Sequence, residues 1–325
     1  MPGGGQRPLN NFQGGRNMIL TIFCWVALIL FVGLSLKKAK QFSSLPMHGR
    51  QDLYPIPLED TDKAKYGGSY MEEDRWFEKK LPHNTGAMII DMLGEMLFIK
   101  KLFVNQNKFW WVSYSLHLGI YAALAWTVLL FVGAFAGQAS VFGTIVYVLV
   151  TIAGVVAGVL MTIGAAGLII KRMTQHEFKA YTTPQEFFNL FFLLAVAVTG
   201  LLTFILNGCT FNYGYAITYA MTRFQSLPAV CAGNLYPVAN TGILYLHILL
   251  LGAVMIYIPL CKMSHYVGKY FTFHSVIWDN RPNMAGSKVE ETIIAESGIK
   301  PAPGKNWAAP HYQPAPAPEA AKEEK

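Results

Sequence analysis

Charge is what this sequence has least of. Asp, Glu, Lys and Arg make 14% of the 325 residues against 53% hydrophobic ones, and the mean hydropathy is +0.33. Soluble domains carry about 25% charged residues, so this balance excludes an ordinary soluble globule and fits a membrane protein with polar ends. Cysteine is also scarce. Cys24, Cys209, Cys231 and Cys261 fit no iron–sulfur or zinc spacing, and there is no CxxCH for covalent haem. Acidic residues are missing from the long apolar runs and no inverted repeat is visible, which argues against an ion-relaying transporter. A cleavable signal is missing too: the first apolar run has no small-residue cleavage site and ends on Lys37, Lys38 and Lys40, a stop-transfer flank.

What the sequence does have is five apolar runs, at 18–36, 109–136, 141–170, 187–206 and 243–266. Each is long enough, at about 1.5 Å per residue, to cross a hydrocarbon layer ~30 Å thick. The expected fold is an all-α integral membrane protein with five transmembrane helices. Lys37, Lys38 and Lys40 follow the first run, Lys100, Lys101 and Lys108 precede the second, Lys171 and Arg172 follow the third, and Lys262 and Lys269 close the fifth. The opposite loops, 137–140 and 207–240, carry only Arg223. The positive-inside rule therefore puts the N-terminus outside and the C-terminus in the cytoplasm. The net charge of +7 is mostly this bias and gives no reason to expect a nucleic-acid partner.

Around the runs, 1–17 reads as a flexible N-terminus and 37–108 as a cytoplasmic loop. Residues 109–270 read as a four-helix membrane domain, and 271–325 as a cytoplasmic tail, expected to be disordered from about 300 on. Within the loop, 88–101 has Ile89, Met92, Leu93, Met96 and Leu97 at helical spacing with Asp91 and Glu95 opposite, the pattern of an amphipathic helix against a membrane interface or a partner subunit. Cys209 and Cys231 share the outer loop, where a disulfide could form. GxxxG pairs at Gly133/Gly137 and Gly154/Gly158 suit close helix packing, and equally a flat macrocycle between helices.

The eight histidines carry the chemistry. His48, His83 and His311 sit in polar loops or the tail, and His176 and His274 near membrane ends. His117, His247 and His265 remain. The stretch "HILLLGAVMIYIPLCKMSH" places His247 and His265 18 residues apart, five turns and about 27 Å on one continuous helix. His117, two turns inside the Phe109, Trp110 and Trp111 interface belt, lies at a depth similar to that of His265. Two imidazoles on neighbouring helices can be the axial ligands of a low-spin haem b. A haem-free anchor would carry the same residues as packing contacts. A second haem at the outer side would use His247 and a ligand near 127, but that residue is Thr127, with Met18 a remote substitute. Such a haem would be five-coordinate on His247 or use an unusual sixth ligand.

The strings "SLHLGIYAALAW" and "IPLCKMSH", with the histidine spacing, resemble the cytochrome b membrane subunit of respiratory nitrate reductase, its gamma subunit. The segment "DMLGEMLFIKKLFVNQNKFWW" is similar to the membrane subunit of heterodisulfide reductase and of related complexes in sulfate reducers. The resemblance covers roughly 85–275. It implies a prokaryotic inner-membrane subunit of a respiratory complex, with one haem b and a second if His247 serves one. It also implies membrane quinol (or methanophenazine) as one partner and a cytoplasmic iron–sulfur subunit as the other. By that matching His117 and His265 are the inner-haem pair and His247 an outer-haem ligand. Thr127 in place of the other outer histidine favours the heterodisulfide reductase branch. A quinol pocket would involve Tyr213, Tyr215, Tyr219 and Arg223 if there is an outer haem, or Arg172, His176 and Glu186 if there is only an inner one.

Overall fold

In lipid the backbone must satisfy its own hydrogen bonds, so long apolar runs fold as helices. The computed structural model of the chain describes residues 18–44, 66, 72, 74, 85–136, 140–232, 236, 238–272 and 295. Among them the helices are α1 (Ile19–Ser43), α2 (Thr85–Phe98), α3 (Lys100–Asn105), α4 (Asn107–Ala136), α5 (Val141–Thr174), α6 (His176–Tyr181), α7 (Pro184–Leu206), α8 (Asn212–Arg223), α9 (Leu227–Ala232), α10 (Thr241–Tyr257) and α11 (His265–Thr272). The N-terminal stretch 1–17, most of 45–84 and the tail beyond 272 apart from residue 295 lie outside the described residues, and with them Gly137, His48, His83, His274 and His311.

Among the described residues five helices are long and apolar enough to cross a membrane: α1, α4, α5, α7, and α10 with its extension to Leu260. Val128, Phe135, Ile152, Ile163 and Ile205 are more than half exposed on their outward faces, as lipid-facing side chains must be. The chain forms two compact units, Met1–Leu36 with Phe98–Ser264, and Lys37–Leu97 with His265–Lys325.

In the first unit α4 and α5 pack at backbone distance. A Cβ on Gly119 would lie 2.6 Å from the Met161 nitrogen, and one on Gly164 would overlap the backbone of Leu116. Only a residue without a Cβ permits that approach. The GxxxG glycines have other neighbours: Gly133 faces the Tyr215 ring, Gly154 faces Phe211 and Trp126, and Gly158 faces Leu201. Two buried cores result. One, with Leu116, Met161, Ala165, Leu193 and Val254, lies toward the lysine-flanked helix ends. The other, with Leu130, Val150, Phe211, Tyr215 and Leu244, lies under α8.

The start of α7 is written in "TTPQE". Pro184 occupies the first turn, the Thr183 backbone N–H donates to Glu186 Oε2 at 2.8 Å, and Thr183 and Glu186 complete a capping box. The first half of α1 is fastened to the segments after α7. Thr21 Oγ1 donates to the Gln225 carbonyl (2.9 Å), Trp25 Nε1 to the Met221 carbonyl (3.0 Å), and Phe23 fills the notch at Gly252.

The fifth span corrects the sequence reading. It is not one helix from His247 to His265. Pro259, which lacks an N–H, converts the helix end to a 3-10 turn at Ile258–Leu260, Cys261 is extended, and a second turn at Lys262–Ser264 precedes α11. The five-turn register between the two histidines is therefore lost.

In the second unit α2 is amphipathic, with its apolar stripe outward. Asp91 and Glu95 are buried, while Ile89, Leu93 and Leu97 are each more than 40% exposed. Glu95 pairs with Lys269 at 3.5 Å, and Phe42 stacks on Phe271. Lys269 compensates the burial of Glu95, which leaves the apolar stripe outward.

A candidate cofactor cavity beside His247

Spans α4, α5, α7 and α10 enclose an apolar cavity of about 120 Å³ in the first unit. Trp126 and Thr127 come from α4, Gly154 and Gly158 from α5, Gly200 from α7 and His247 from α10. His247 is 7% exposed. Its Nδ1 lies 3.2 Å from Thr199 Oγ1, and a Cβ on Gly200 would sit 3.0 Å from its Cε1 and 3.5 Å from its Nε2. Gly200 thus gives the imidazole its seat. Tyr213 meets the ring edge-on, with centroids 6.4 Å apart and planes at 89°.

Opposite, Thr127 donates its hydroxyl to the Ala123 carbonyl at 2.9 Å, so its proton is committed within its own helix. Trp126 Nε1 is buried, has no hydrogen-bond partner among the described residues, and faces the missing Cβ of Gly154. Met18 is not among the wall residues. Among the described residues no three metal-ligating side chains converge. Porphyrin-held iron needs only axial ligands, and the residues present fit it: a buried imidazole, glycine-lined walls and an indole N–H without a partner.

Neither His117 nor His176 lines this cavity. His117, on α4, has Nδ1 2.7 Å from the Ser113 carbonyl. A carbonyl only accepts, so the proton is on Nδ1 and the lone pair on Nε2, the form a metal ligand requires. His265 is exposed and opens α11 in the second unit. His176 lines a surface cleft with Lys108 and Lys171. Arg172 and Lys262 instead reach Glu186, at 3.5 and 3.0 Å. Glu186 also caps α7, so this trio closes a helix end.

The outer tyrosines separate likewise. Only Tyr213 lines the cavity. Tyr215 stacks between Tyr147 and Tyr236, and burial with those neighbours pushes its phenol up to about 12. Arg223 lies over the Tyr219 ring at 3.9 Å and donates to the Ala134 carbonyl near the end of α4. Sequence reading overlooked Thr199 and Gly200. The signal available was "TG" in the middle of an apolar span, since polar residues at membrane depth are functional suspects.

The nitrate reductase gamma subunit family model matches residues 101–278, more than half of the chain. The chain belongs to that family. This gamma-family chain is therefore a multi-pass inner-membrane protein and a haem-binding cytochrome b subunit of a respiratory complex, working in electron transfer. No curated protein and no solved structure matches it.

The disulfide between Cys209 and Cys231 does not form, and all four thiols are free. Cys209 is exposed at a left-handed turn after α7, while Cys231 packs on the core under α8. Burial pushes the Cys231 thiol up to about 11, so at neutral pH almost none of it is thiolate. Brief iodoacetamide treatment of the folded protein should alkylate Cys209 and spare Cys231. Mass spectrometry of the peptides checks this, and equal labelling would contradict the packing.

Proposed function

We propose that this subunit transfers electrons between a membrane quinol and a cytoplasmic iron–sulfur subunit of the heterodisulfide reductase type. The observation that carries the reading is His247, buried and held by Thr199 at the wall of an interhelical cavity, in a chain of the gamma family. His247 would hold an outer haem, and Thr127 on the facing helix would add no second imidazole to it. His117 and His265 are the inner-haem pair, an assignment supported by family membership and by the Nδ1-protonated form of His117. Bound haem b supplies one-electron chemistry at a potential set by axial ligands and burial.

The rest is the work of the chain. Apolar walls exclude water, and the Ser113 and Thr199 contacts orient the imidazoles. Burial raises the Tyr213 phenol well above its ordinary range, so it stays a neutral hydrogen-bond donor beside the cavity. Quinol oxidised there would release its protons at the outer face, given the N-outside orientation.

The test is a dithionite-reduced minus oxidised spectrum of the purified protein, with haem counted by pyridine haemochrome and repeated with a quinol analogue as reductant. A b-type signal that the quinol analogue also produces is expected. Protein made with adequate haem and lacking that signal would leave only a haem-free anchor for redox subunits.

A further inference from the structure

We infer that Thr199 is a positioning residue that fixes the tautomer and orientation of His247. Thr199 is 8% exposed, in the middle of α7, and its hydroxyl has a single proton. That proton goes to the Ala195 carbonyl at 2.7 Å, with the Val196 carbonyl at 3.1 Å as a weaker branch. Carbonyl oxygens cannot donate, so the contact with His247 Nδ1 at 3.2 Å must run the other way: Nδ1–H donates and Oγ1 accepts. This contact therefore puts the ring proton on Nδ1 and leaves the lone pair on Nε2.

The next residue completes the seat. Gly200 has no Cβ, and a methyl there would press on Cε1 at 3.0 Å, the ring carbon between the two nitrogens. Thr199 and Gly200 together hold the ring down on α7 by its Nδ1 edge, beside the cavity that His247 and Gly200 both line. Free imidazole exchanges its tautomers readily, and in only one of them does Nε2 have a lone pair to give. Partners of this kind set ring orientation and ligand basicity, and losing one typically lowers metal affinity about 10- to 100-fold.

The functional meaning of this inference rests on the outer-haem reading, whereas the tautomer does not. The experiment uses the full chain in two forms. Haem-depleted protein labelled with ¹⁵N-histidine is examined by solid-state NMR, the His247 signal being identified by its loss in His247→Ala. Haem-loaded protein is titrated for haem content and midpoint potential. Wild type and Thr199→Ser should show the Nδ1-protonated form. Thr199→Val, which keeps the shape and removes the acceptor, should show a mixture. In the loaded protein Thr199→Val should lose the outer haem about 10-fold more readily and shift its potential, with Thr199→Ser restoring both. An unchanged tautomer in Thr199→Val overturns the inference. A changed tautomer in a protein whose His247→Ala variant keeps all its haem supports the inference and overturns the outer-haem reading instead.

Discussion

Replacing His247 with alanine is expected to lower the haem content from about two per chain to about one. His247 is the imidazole of the cavity, and Thr127 on the facing helix has its hydroxyl tied to Ala123. The other side chains that could reach iron are the thioether of Met161 and the phenol of Tyr213, which burial keeps protonated; the rest of the wall is aliphatic, aromatic or glycine apart from Thr127. The haem that stays should keep the low-spin spectrum of a two-imidazole site. The substitution leaves Thr199 without its ring partner, at a cost of about 1–3 kcal/mol, small enough for the bundle to fold. Pyridine haemochrome against total protein gives the count. A His247→Ala variant with wild-type haem content and spectrum would return His247 to the role of a packing residue.

Gly164→Leu should be the most damaging single change in the membrane domain. A Cβ at that position meets Leu116 at its nitrogen, Cα and Cβ. Backbone cannot rotate aside as a side chain can, so α4 and α5 must separate. Overpacking into side chains already costs about 1–3 kcal/mol, and displacement of a helix belongs to the upper tail of mutational effects. Leu116 directly precedes His117, so the shift also moves a proposed ligand. A fall in melting temperature of roughly 5 °C or more is expected in detergent, with loss of haem from the His117 side. Gly33→Ala is the control, because nothing lies within 4 Å of its added Cβ. Equal melting temperatures for Gly164→Leu and wild type would contradict the close packing.

Much of the fold was legible because membrane insertion depends on composition along the chain. Five apolar runs with lysine at alternate ends need no tertiary information to be read as spans. One local reading failed for a physical reason. The register from His247 to His265 assumed an unbroken helix, although Pro259 stands between them. The amphipathic stripe of α2 was legible as a stripe, whereas the pairing of Glu95 with Lys269, 174 residues away, was not. An isolated helix does not reveal that its carboxylate has a distant partner.

The candidate site divides along the same line. Sequence picked out His117 and His247 as imidazoles at membrane depth, where polar side chains are costly without a role, and Gly154 and Gly158 as places where something bulky can approach. It could not connect Thr199 to His247, 48 residues later, or send Tyr213 to the cavity and Tyr215 to the stack with Tyr147. By itself the sequence determined the membrane class, the spans and the residue types able to hold haem, because hydropathy and charge act locally. The tertiary structure decided which nitrogen of His247 carries the proton and which glycines make room for a neighbour. It also decided that the buried Glu95 of α2 pairs with the half-buried Lys269, because each of these depends on atoms brought together from distant parts of the chain.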